Sequence, residues 1–546
     1  MPDIVRPPVD VILIAQSECV DYSKYLDLPL ERMIEYRHLV YPRMVHQNNG
    51  FRSHLDILNQ AKFGKYYRDA DPADRRHFYN IWNLPSFSGI HLANYLAQYD
   101  INPFIINNID SEWDILERCA AAGSAPPLIA LSCTFYLSFN EIKRITRKIQ
   151  ARFPDAEIVI GGAFLNQFLL NDTLTELEAG MRRLGIAYAL LAYNSEQDLK
   201  DLVLFKKRQD PGEHASHIGD LAYFEGGRFR MTPSVWKVPV LEGVAVNWDK
   251  LNLSFINHTI QLRVSSGCPF SCAFCSYPVT TKGFHPSGLG MFEEDLKRML
   301  KQSSADRIIF IDDTFNVPKE RFKKICATLS KMKVAWYSFL RVQFVDEEIV
   351  RLMKDSGCAM VYMGIESAND TILGNMNKKA TRHEFEKGVR LLKKYGIPML
   401  AGFVIGFPGE TEKTAMENID FIESNGIDFY TLKEFYYMKH APVHENRQRY
   451  QLTGLGANWE HATMNYRQAS DLKLSMFRQI KGATAVDPDT SMWYVAYLND
   501  QGYSMAQVKG IQTAINTIIG DQLDGKFDPV HPAFAQINRI VRSVQP

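Results

Sequence analysis

Hydrophobic and polar residues alternate along the chain in blocks that predict two successive units of strands and helices. The apolar run Val9–Ala15 is typical of a parallel strand that is buried on both faces. Strands and helices then follow in regular turn: helix Ser88–Gln98, strand Pro103–Asn107, strand Leu128–Thr134, helix Phe139–Phe153, strand Glu157–Gly161, strand Ala187–Ala192 and helix Glu196–Leu204. This order predicts βαβ units and therefore a parallel sheet.

Three segments interrupt or close this first unit. Residues 22–86 are irregular and rich in tyrosine, which we interpret as a helical insertion after the first strand. The stretch Asp220–Phe229 contains a turn signal between two short β-like runs and predicts a hairpin. Prolines 233 and 239 and the mixed sequence up to about residue 255 indicate a linker.

A second alternation of strands and helices begins at Ile260. Its predicted elements are the strand that starts at Ile260, helix Phe292–Gln302, strand Arg307–Ile311, helix Lys319–Met332, strand Trp336–Leu340, helix Glu347–Ser356, strand Met360–Gly364, helix Arg382–Tyr395, strand Met399–Ile405, helix Glu412–Asn425 and strand Phe429–Leu432. Six strands predict a partial α/β barrel rather than a closed eightfold one.

The predicted fold class is therefore α/β, with a Rossmann-like (flavodoxin-like) domain, a partial (β/α)6 barrel and a mainly helical C-terminal region. We expect the first domain at 1–215, hairpin and linker at 216–258, the barrel at 259–440 and a helical cap at 441–546. Helices in the cap are predicted near Tyr466–Lys481 and Met505–Leu523.

Charge and composition narrow the class of protein. Lys+Arg and Asp+Glu both number 62 in 546 residues, so the chain as a whole offers no basic footprint for nucleic acid or an anionic membrane. The N-terminus has no basic segment followed by an apolar one, and no apolar run approaches eighteen residues. We therefore expect a cytoplasmic protein that binds neither nucleic acid nor membrane.

Three cysteines, Cys268, Cys272 and Cys275, follow the first barrel strand at C-x3-C-x2-C spacing. Three thiolates in one loop can hold three irons of a [4Fe–4S] cluster, and the fourth iron then stays open for chemistry. A structural zinc site would require a fourth ligand, and His285 has no paired partner; eight cysteines in 546 residues are too sparse for a disulfide framework. The other five, Cys19, Cys119, Cys133, Cys326 and Cys358, are interpreted as buried thiols.

Ligands of parallel sheets bind beyond the carboxyl ends of the strands. In the first unit these ends supply small and polar residues as candidate contacts for a large ligand: Ser132, Thr134, Gly161, Gly162 and Asn194. The glycine pair has a simpler explanation as a tight turn.

The barrel strand ends carry carboxylates, a guanidinium, hydroxyls and glycines, namely Asp312, Arg341, Glu366, Ser367, Gly402 and Gly406. Each has a structural explanation alone, such as a helix cap, a surface ion pair or a turn. Together they predict a site for a zwitterionic, ribose-containing ligand beside the cysteines. His461, next to Trp459, is either a substrate-site residue or a packed, hydrogen-bonded histidine.

With the cysteine loop, Gly364-Ile365-Glu366-Ser367 and Gly406-Phe407-Pro408-Gly409-Glu410-Thr411, the chain resembles radical S-adenosylmethionine (SAM) enzymes that have an N-terminal cobalamin-binding-like domain. The resemblance implies that the three cysteines hold the cluster and that SAM binds the open iron. It further implies that Phe274 borders the adenine, that Glu366 and Ser367 contact the ribose or methionine part, that Gly402–Gly406 contacts the adenine and that Arg341 binds the SAM carboxylate.

The same resemblance implies a cobalamin site in the first domain, without a histidine lower ligand. Members with such a ligand carry Asp-x-His-x-x-Gly after the first strand, where this chain has Ala15-Gln16-Ser17-Glu18-Cys19-Val20. His91 does not match the motif and is interpreted as structural.

The function implied is reductive cleavage of SAM to a 5′-deoxyadenosyl radical and, with methylcobalamin, C-methylation of an unactivated carbon in a small-molecule or peptide substrate. The resemblance also implies an external one-electron reductant such as flavodoxin or ferredoxin. Alternatives are a non-methylating rearrangement, cyclisation or group transfer, and a non-catalytic cobalamin or redox sensor. A methylthiotransferase is disfavoured because the N-terminal half has no second cysteine triad.

Overall fold

The computed structural model describes residues 9–18, 37–38, 42–48, 50–71, 74–121, 128–136, 138–171, 173–208, 214–241 and 251–544. Within these ranges two seven-stranded sheets form the molecule, each flanked by helices. The predicted α/β class is confirmed.

The first sheet is built on a strand that is buried along its whole length. It contains β1 (Val11–Gln16), β4 (Pro103–Asn108), β5 (Leu128–Ser132), β6 (Glu157–Gly161), β7 (Tyr188–Leu190), β8 (Leu221–Glu225) and β9 (Arg228–Met231). The order is β4-β1-β5-β6-β7-β8-β9, and the first five strands are parallel whereas the predicted hairpin, β8 and β9, is antiparallel. This is the flavodoxin-like order, in which ligands bind where the direction of strand succession reverses, here between β1 and β5.

Helices cover both faces of this sheet. They are α2 (Phe87–Leu96), α3 (Trp113–Ala121), α4 (Phe139–Arg152), α5 (Ala163–Leu170), α6 (Leu174–Leu184) and α7 (Glu196–Arg208). Helix α4 begins at a capping box in which Ser138 and Glu141 each satisfy the other's backbone N–H. Helices α3, α5 and α6 were not predicted.

The insertion predicted as helical is mixed in its described part. It contains a two-stranded antiparallel sheet, β2 (Met44–Gln47) and β3 (Gly50–Ser53), followed by α1 (His54–Phe63). The residues between 19 and 36 lie outside the described ranges. The hairpin was missed because two four-residue strands leave little alternation to detect.

The second sheet contains β10 (Thr259–Leu262), β13 (Arg307–Phe310), β14 (Ala335–Leu340), β15 (Cys358–Glu366), β16 (Met399–Ile405), β17 (Phe429–Glu434) and β21 (Thr484–Ala485), all parallel and in that order. The predicted count of six strands is wrong by one. The added strand β21 comes from the C-terminal region and pairs with Phe429 and Tyr430. It has only two residues, which is too short for a hydrophobic pattern to predict it.

The helices that alternate with these strands lie outside the sheet. They are α8 (Tyr277–Thr281), α9 (Leu289–Gln302), α10 (Lys319–Met332), α11 (Glu347–Asp355), α12 (Asp370–Asn375), α13 (Arg382–Lys394) and α14 (Glu412–Asn425). A small sheet, β11 (Ser265–Ser266) with β12 (His285–Pro286), flanks the cysteine loop. Phe403 of β16 packs on Phe421 of α14, which identifies this side of β16 as the outer face.

The C-terminal region is mainly helical. It contains the short helix α15 (Arg447–Tyr450), the three-stranded sheet β18 (Thr453–Leu455), β19 (Asn458–His461) and β20 (Met464–Asn465), and the helices α16 (Tyr466–Gln479), α17 (Ser491–Asp500), α18 (Met505–Leu523) and α19 (Pro532–Ser543). None of the described helices has the length and apolar character that crossing a bilayer requires.

One continuous apolar core connects the two sheets. It includes Leu13 and Ile105 from the first sheet and Ile260 and Val361 from the second. Polar contacts cross the same junction: the Asn252 side chain exchanges two hydrogen bonds with the Ile105 backbone, and Gln261 Nε2 donates to the Pro85 carbonyl at 2.9 Å. The two sets of strand ends are thereby held against each other.

Candidate active site between the two sheets

A cavity of about 570 Å³ lies between the carboxyl ends of the two sheets. This volume is within the usual range for small-molecule sites. Its lining includes most of the residues singled out in the sequence: Ser132, Thr134, Gly161, Gly162, Asn194, Cys268, Cys272, Phe274, Cys275, Arg341 and Glu366. Two sets of candidates, predicted on different domains, thus surround one space.

The cysteine loop is held by its backbone. Gly267 has φ +80°, and a Cβ there would lie 1.9 Å from the Gly283 carbonyl oxygen, so only glycine fits. Ala273 N–H donates to the Met376 carbonyl at 2.8 Å and the Ala273 carbonyl accepts from Val443 N–H at 2.8 Å. The loop is therefore fixed to segments on the far side of the barrel mouth.

Each of two cysteine sulfurs has a polar neighbour. Cys268 Sγ lies 2.9 Å from the Thr314 hydroxyl, and Arg341 Nη2 donates to Cys272 Sγ at 2.9 Å. Burial raises the pKa of the Cys275 thiol to about 12. A coordinated metal ion has the opposite effect, since it favours the thiolate.

The three sulfurs face a common cavity without converging on one point. Among the described residues, no three His, Cys, Asp or Glu side chains are arranged to hold a single metal ion. In an iron–sulfur cluster each cysteine binds a different iron, which requires thiols around a space and not around an atom.

Arg341 is fixed from several directions. Its guanidinium stacks 3.7 Å from the centre of the Phe270 ring and donates from Nη1 to the Lys378 carbonyl at 3.2 Å. Its side chain is buried, so its charge acts in a medium of low dielectric constant next to Cys272.

Glu366 and Lys378 form a buried ion pair next to Arg341. Lys378 Nζ lies 2.9 Å from Glu366 Oε1 and 6.0 Å from the centre of the Phe274 ring. Glu366 has φ +68°, a left-handed backbone that costs energy for a residue with a side chain. Because Gly364 has no Cβ, the carboxylate can fold back over the strand: a Cβ there would lie 2.4 Å from Glu366 Oε1.

Four of the predicted site residues do not line the cavity. Asp312 is fully buried behind the loop, where its carboxylate accepts from Val264 N–H and from the Ser265 hydroxyl, and burial raises its pKa to about 6. The neighbouring Asp313 faces the cavity instead and accepts from Gly267 N–H at 3.0 Å. The other three, Ser367, Gly402 and Gly406, are buried outside the lining.

Gly402 on β16 and Gly406, one residue beyond it, accommodate aromatic side chains. A Cβ on Gly402 would lie 2.2 Å from the hydroxyl oxygen of Tyr362, a cavity-lining residue. Gly406, with φ +87°, approaches the Trp459 ring in the same way. His461 is a packed, hydrogen-bonded residue: its Nε2 donates to the Gly406 carbonyl at 3.0 Å and its ring stacks on Trp459.

The first sheet contributes a deep slot to the cavity. Its walls are apolar residues of successive strands and of the covering helices, namely Leu13, Ala130, Val159, Leu190, Leu92 and Leu199. At its mouth Gly162 has φ +113°, and a Cβ there would lie 2.9 Å from Thr134 N and from Thr134 Oγ1. A side chain at position 162 would therefore displace the Thr134 turn.

The candidate Asn194 and the histidine His91, which was interpreted as structural, are both held by neighbours. Asn194 Nδ2 donates to the Lys237 carbonyl at 2.8 Å, and Lys237 Nζ lies between Asp198 and Asp220 at 2.7 and 2.8 Å. His91 also lines the cavity, where its Nε2 lies 3.4 Å from Glu196 Oε1.

Sequence patterns did not single out Arg263 or Lys378, both of which line the cavity. Arg263 lies one residue beyond β10, and its buried Nε has no hydrogen-bond partner among the described residues. The sequence could have indicated Arg263, because Gln261 and Arg263 are two residues apart and therefore on one face of the strand segment that leads to the cysteine loop. Lys378 gave no such signal because it follows a short helix, not a strand. Of the five other cysteines, the four in the described ranges are buried, as predicted, and Cys19 lies outside these ranges.

Comparisons with known proteins agree with this geometry. Residues 262–422 match the model of the radical SAM superfamily. An uncharacterized methyltransferase of Pyrococcus horikoshii is 30% identical over 263 residues, covering 46% of this chain and 56% of that protein. The chain spans about half, or less, of the length of the curated relatives it matches first.

Two solved structures share the overall fold. The radical SAM methyltransferase TsrM from Kitasatospora setae, with cobalamin and a [4Fe–4S] cluster bound, has a TM-score of 0.56 at 15% identity and covers 84% of this chain and 96% of that one. The cobalamin-dependent SAM radical enzyme OxsB, with aqua-cobalamin bound, has a TM-score of 0.54 at 13% identity and covers 99% and 80%. At these identities the similarity establishes the fold.

Proposed function

Because residues 262–422 belong to the radical SAM superfamily and the whole chain has the fold of cobalamin-dependent members, we propose that it is a cobalamin-dependent radical SAM methyltransferase. Its substrate is a small molecule or peptide that is methylated on an unactivated carbon. The observation that carries the proposal is the single cavity between the sheets, which three cysteines of one sheet and the glycine-lined slot of the other both face.

The cysteine loop fits an iron–sulfur cluster by its donor set. Three thiols line one cavity, and Arg341 and Thr314 contact two of them, so the negative charge of the thiolates is partly balanced. In the proposed enzyme Cys268, Cys272 and Cys275 hold the cluster. When bound, the cluster supplies the electron that cleaves SAM to a 5′-deoxyadenosyl radical, and methylcobalamin supplies the methyl group.

The chain's own residues would bind and orient SAM. The proposed direct contacts are Phe274 beside the adenine, Glu366 at the ribose or methionine part and Arg341 at the SAM carboxylate. Asp312, Ser367, Gly402 and Gly406 are proposed to belong to the same site. Of these, Phe274, Arg341 and Glu366 line the cavity, which supports direct contact. Asp312, Ser367, Gly402 and Gly406 lie behind the lining and would act by holding the strand ends in place.

The slot in the first sheet fits the cobalamin group. Its polar rim of Ser132, Thr134 and Asn194 suits amide and phosphate groups. Gly161 leaves the backbone uncovered at this rim, and the close approach of Gly162 to Thr134 holds two strand ends together there. Apolar walls below the rim exclude water from its inner end. No histidine corresponds to the lower-ligand motif, which supports binding without one.

Anaerobic reconstitution followed by analysis of SAM cleavage tests the proposal. We expect reconstituted protein with SAM and a flavodoxin or ferredoxin reductant to release 5′-deoxyadenosine, and Cys272→Ala to lose both the iron and the cleavage. Cys326→Ala is the matched control, because Cys326 is buried beneath the barrel away from the cavity. Cleavage that survives Cys272→Ala would overturn the ligand assignment, and its absence from wild-type protein would overturn the function.

A further inference from the structure

Lys433 lies at the carboxyl end of β17, and its side chain points into the barrel. Strand register establishes the direction: Gly364, Gly402 and Thr431 are paired across β15, β16 and β17, and Val404 is paired with Lys433. Paired residues of parallel strands lie on one face. Gly364 lines the cavity, so Thr431 and Lys433 face the interior, whereas Glu434 on the other face contacts α16.

Lys433 differs from the other enclosed lysines of this region in having no ion-pair partner. Lys378 pairs with Glu366 at 2.9 Å and Lys473 pairs with Glu434 at 2.5 Å. Lys433 forms no ion pair or hydrogen bond with any described residue. An enclosed ammonium without a partner is costly, which makes this position unusual for a purely structural lysine.

The Lys433 side chain lies on the face of the sheet that is directed into the barrel, not on the face that the helices cover. The Lys433 side chain is accessible, yet burial is the main cause that lowers its pKa. These two properties occur together when protein surrounds a group on nearly every side but leaves a cavity in front of it. Thr431, only 1% exposed and one step deeper on the same face, has a hydroxyl without a hydrogen-bond partner among the described residues.

The charges around Lys433 do not neutralise it by contact. Asp487, Asp489 and Glu366 attract its charge from a distance and Arg43 repels it. Asp489 is held by Arg43 at 2.6 Å, Glu366 is held by Lys378, and Asp487, whose pKa burial raises to about 7, accepts from the Asp489 backbone. No described side chain therefore neutralises the Lys433 ammonium by contact, which leaves it available to an anionic ligand.

From this arrangement we propose that the substrate carries an anionic oxygen group, a carboxylate or a phosphate, which binds Lys433 and the Thr431 hydroxyl inside the barrel. This inference rests on the proposed function, since it narrows the substrate of that site to acidic molecules. A lysine suits either anion because its ammonium acts as a point charge with three donors.

Competitive labelling of lysines in the reconstituted full chain tests the inference. Reductive methylation with isotopic formaldehyde, read by mass spectrometry, reports Lys433 and the exposed Lys439 in one experiment. At constant ionic strength we expect acetate or inorganic phosphate to slow labelling of Lys433 severalfold and to leave Lys439 unchanged, whereas neutral acetamide has no effect. Protection by acetate alone identifies a carboxylate, and protection by phosphate alone identifies a phosphate group.

The inference is overturned if neither anion protects Lys433 or if acetamide protects it equally. As a second readout, the protecting anion should raise the melting temperature of wild type and of Lys439→Gln but not of Lys433→Gln; an equal rise in Lys433→Gln also overturns it. Release of 5′-deoxyadenosine by the same wild-type preparation tests the proposed function separately, so each can fail without the other.

Discussion

At the scale of single residues, Arg341 is the charged group that contacts a predicted cluster ligand. Its Nη2 donates to Cys272 Sγ at 2.9 Å, and the buried guanidinium has no bulk water to screen it. Hydrogen bonds and charges at the sulfurs set the reduction potential of an iron–sulfur cluster. A positive charge at this distance stabilises the reduced form, which carries one more electron.

Arg341→Met should therefore lower the midpoint potential of the reconstituted cluster. We expect a shift of roughly 60 mV, which is a tenfold change in a one-electron equilibrium. Spectroelectrochemical titration measures it, with Arg351→Met on the exposed face of α11 as the matched control. An unchanged potential would show that the contact does not influence the cluster.

Glu410 gives a prediction about pH and stability. Burial raises its pKa to about 8, its Oε2 accepts from Gly406 N–H, and its Oε1 has no partner among the described residues. The folded protein therefore holds a proton that the unfolded chain loses above about pH 4.5, and stability falls as pH rises from about 5 to 8.

Glu410→Gln removes this titration while keeping an oxygen for Gly406 N–H. We expect the free energy of unfolding of wild type to fall relative to the variant between pH 5 and pH 8, by at most about 1.4 kcal/mol for each pKa unit of the shift. Denaturant unfolding at the two pH values measures the difference. Parallel pH profiles for the two proteins would contradict the assignment.

The sequence alone located much of the candidate site at residue level. The cysteine spacing and the strand-end rule selected eleven residues that line the cavity. The sequence analysis selected Asp312 as a site residue, but it is the neighbouring Asp313 that faces the cavity. The alternation of side chains between the two faces ends with the last residue of the strand, so it does not predict which residue of the following loop points inward. The sequence analysis missed Arg263 and Lys433. In the sequence each is a charged residue without a motif, and only the pairing with neighbouring strands shows that its side chain lies on the same face as the site residues.

At the scale of elements, the turn from β6 into α5 is the most demanding feature of the slot. Gly162→Ala would force φ +113° on a residue with a side chain and bring its Cβ to 2.9 Å from Thr134 N. We expect this variant to lose cobalamin binding, measured by absorbance after gel filtration, and to keep the iron content of wild type. Gly290→Ala on α9, where a Cβ meets nothing within 4 Å, is the control. Full cobalamin binding by Gly162→Ala would place the ligand elsewhere.

The bounds of elements with a strong hydrophobic periodicity were predicted to the residue, whereas elements with a weak periodicity were missed. Strands β6 and β16 and helices α10 and α14 have the predicted bounds, since each combines a clear hydrophobic pattern with turn or capping residues. Helices α17 and α19 were missed. Helix α17 is buried on most sides and so lacks the polar stripe that distinguishes a surface helix.

At the scale of the whole molecule, the shared core predicts cooperative unfolding. Apolar residues of both sheets belong to one buried cluster, and β21 ties the C-terminal region to the barrel. Because neither sheet can separate without exposing this core, we expect calorimetry of the unfolding to show one transition for the chain. Two well-separated transitions would mean that the sheets fold independently.

The central claim is that one cavity brings a SAM site and a cobalamin site together. Transfer of an isotopically labelled methyl group from SAM to bound cobalamin in the reconstituted, reduced protein tests it most directly, because the two groups have to meet for the label to move. We expect labelled methylcobalamin in wild type and in Gly290→Ala, and none in Gly162→Ala. Release of 5′-deoxyadenosine by wild type without any label on its bound cobalamin would contradict it.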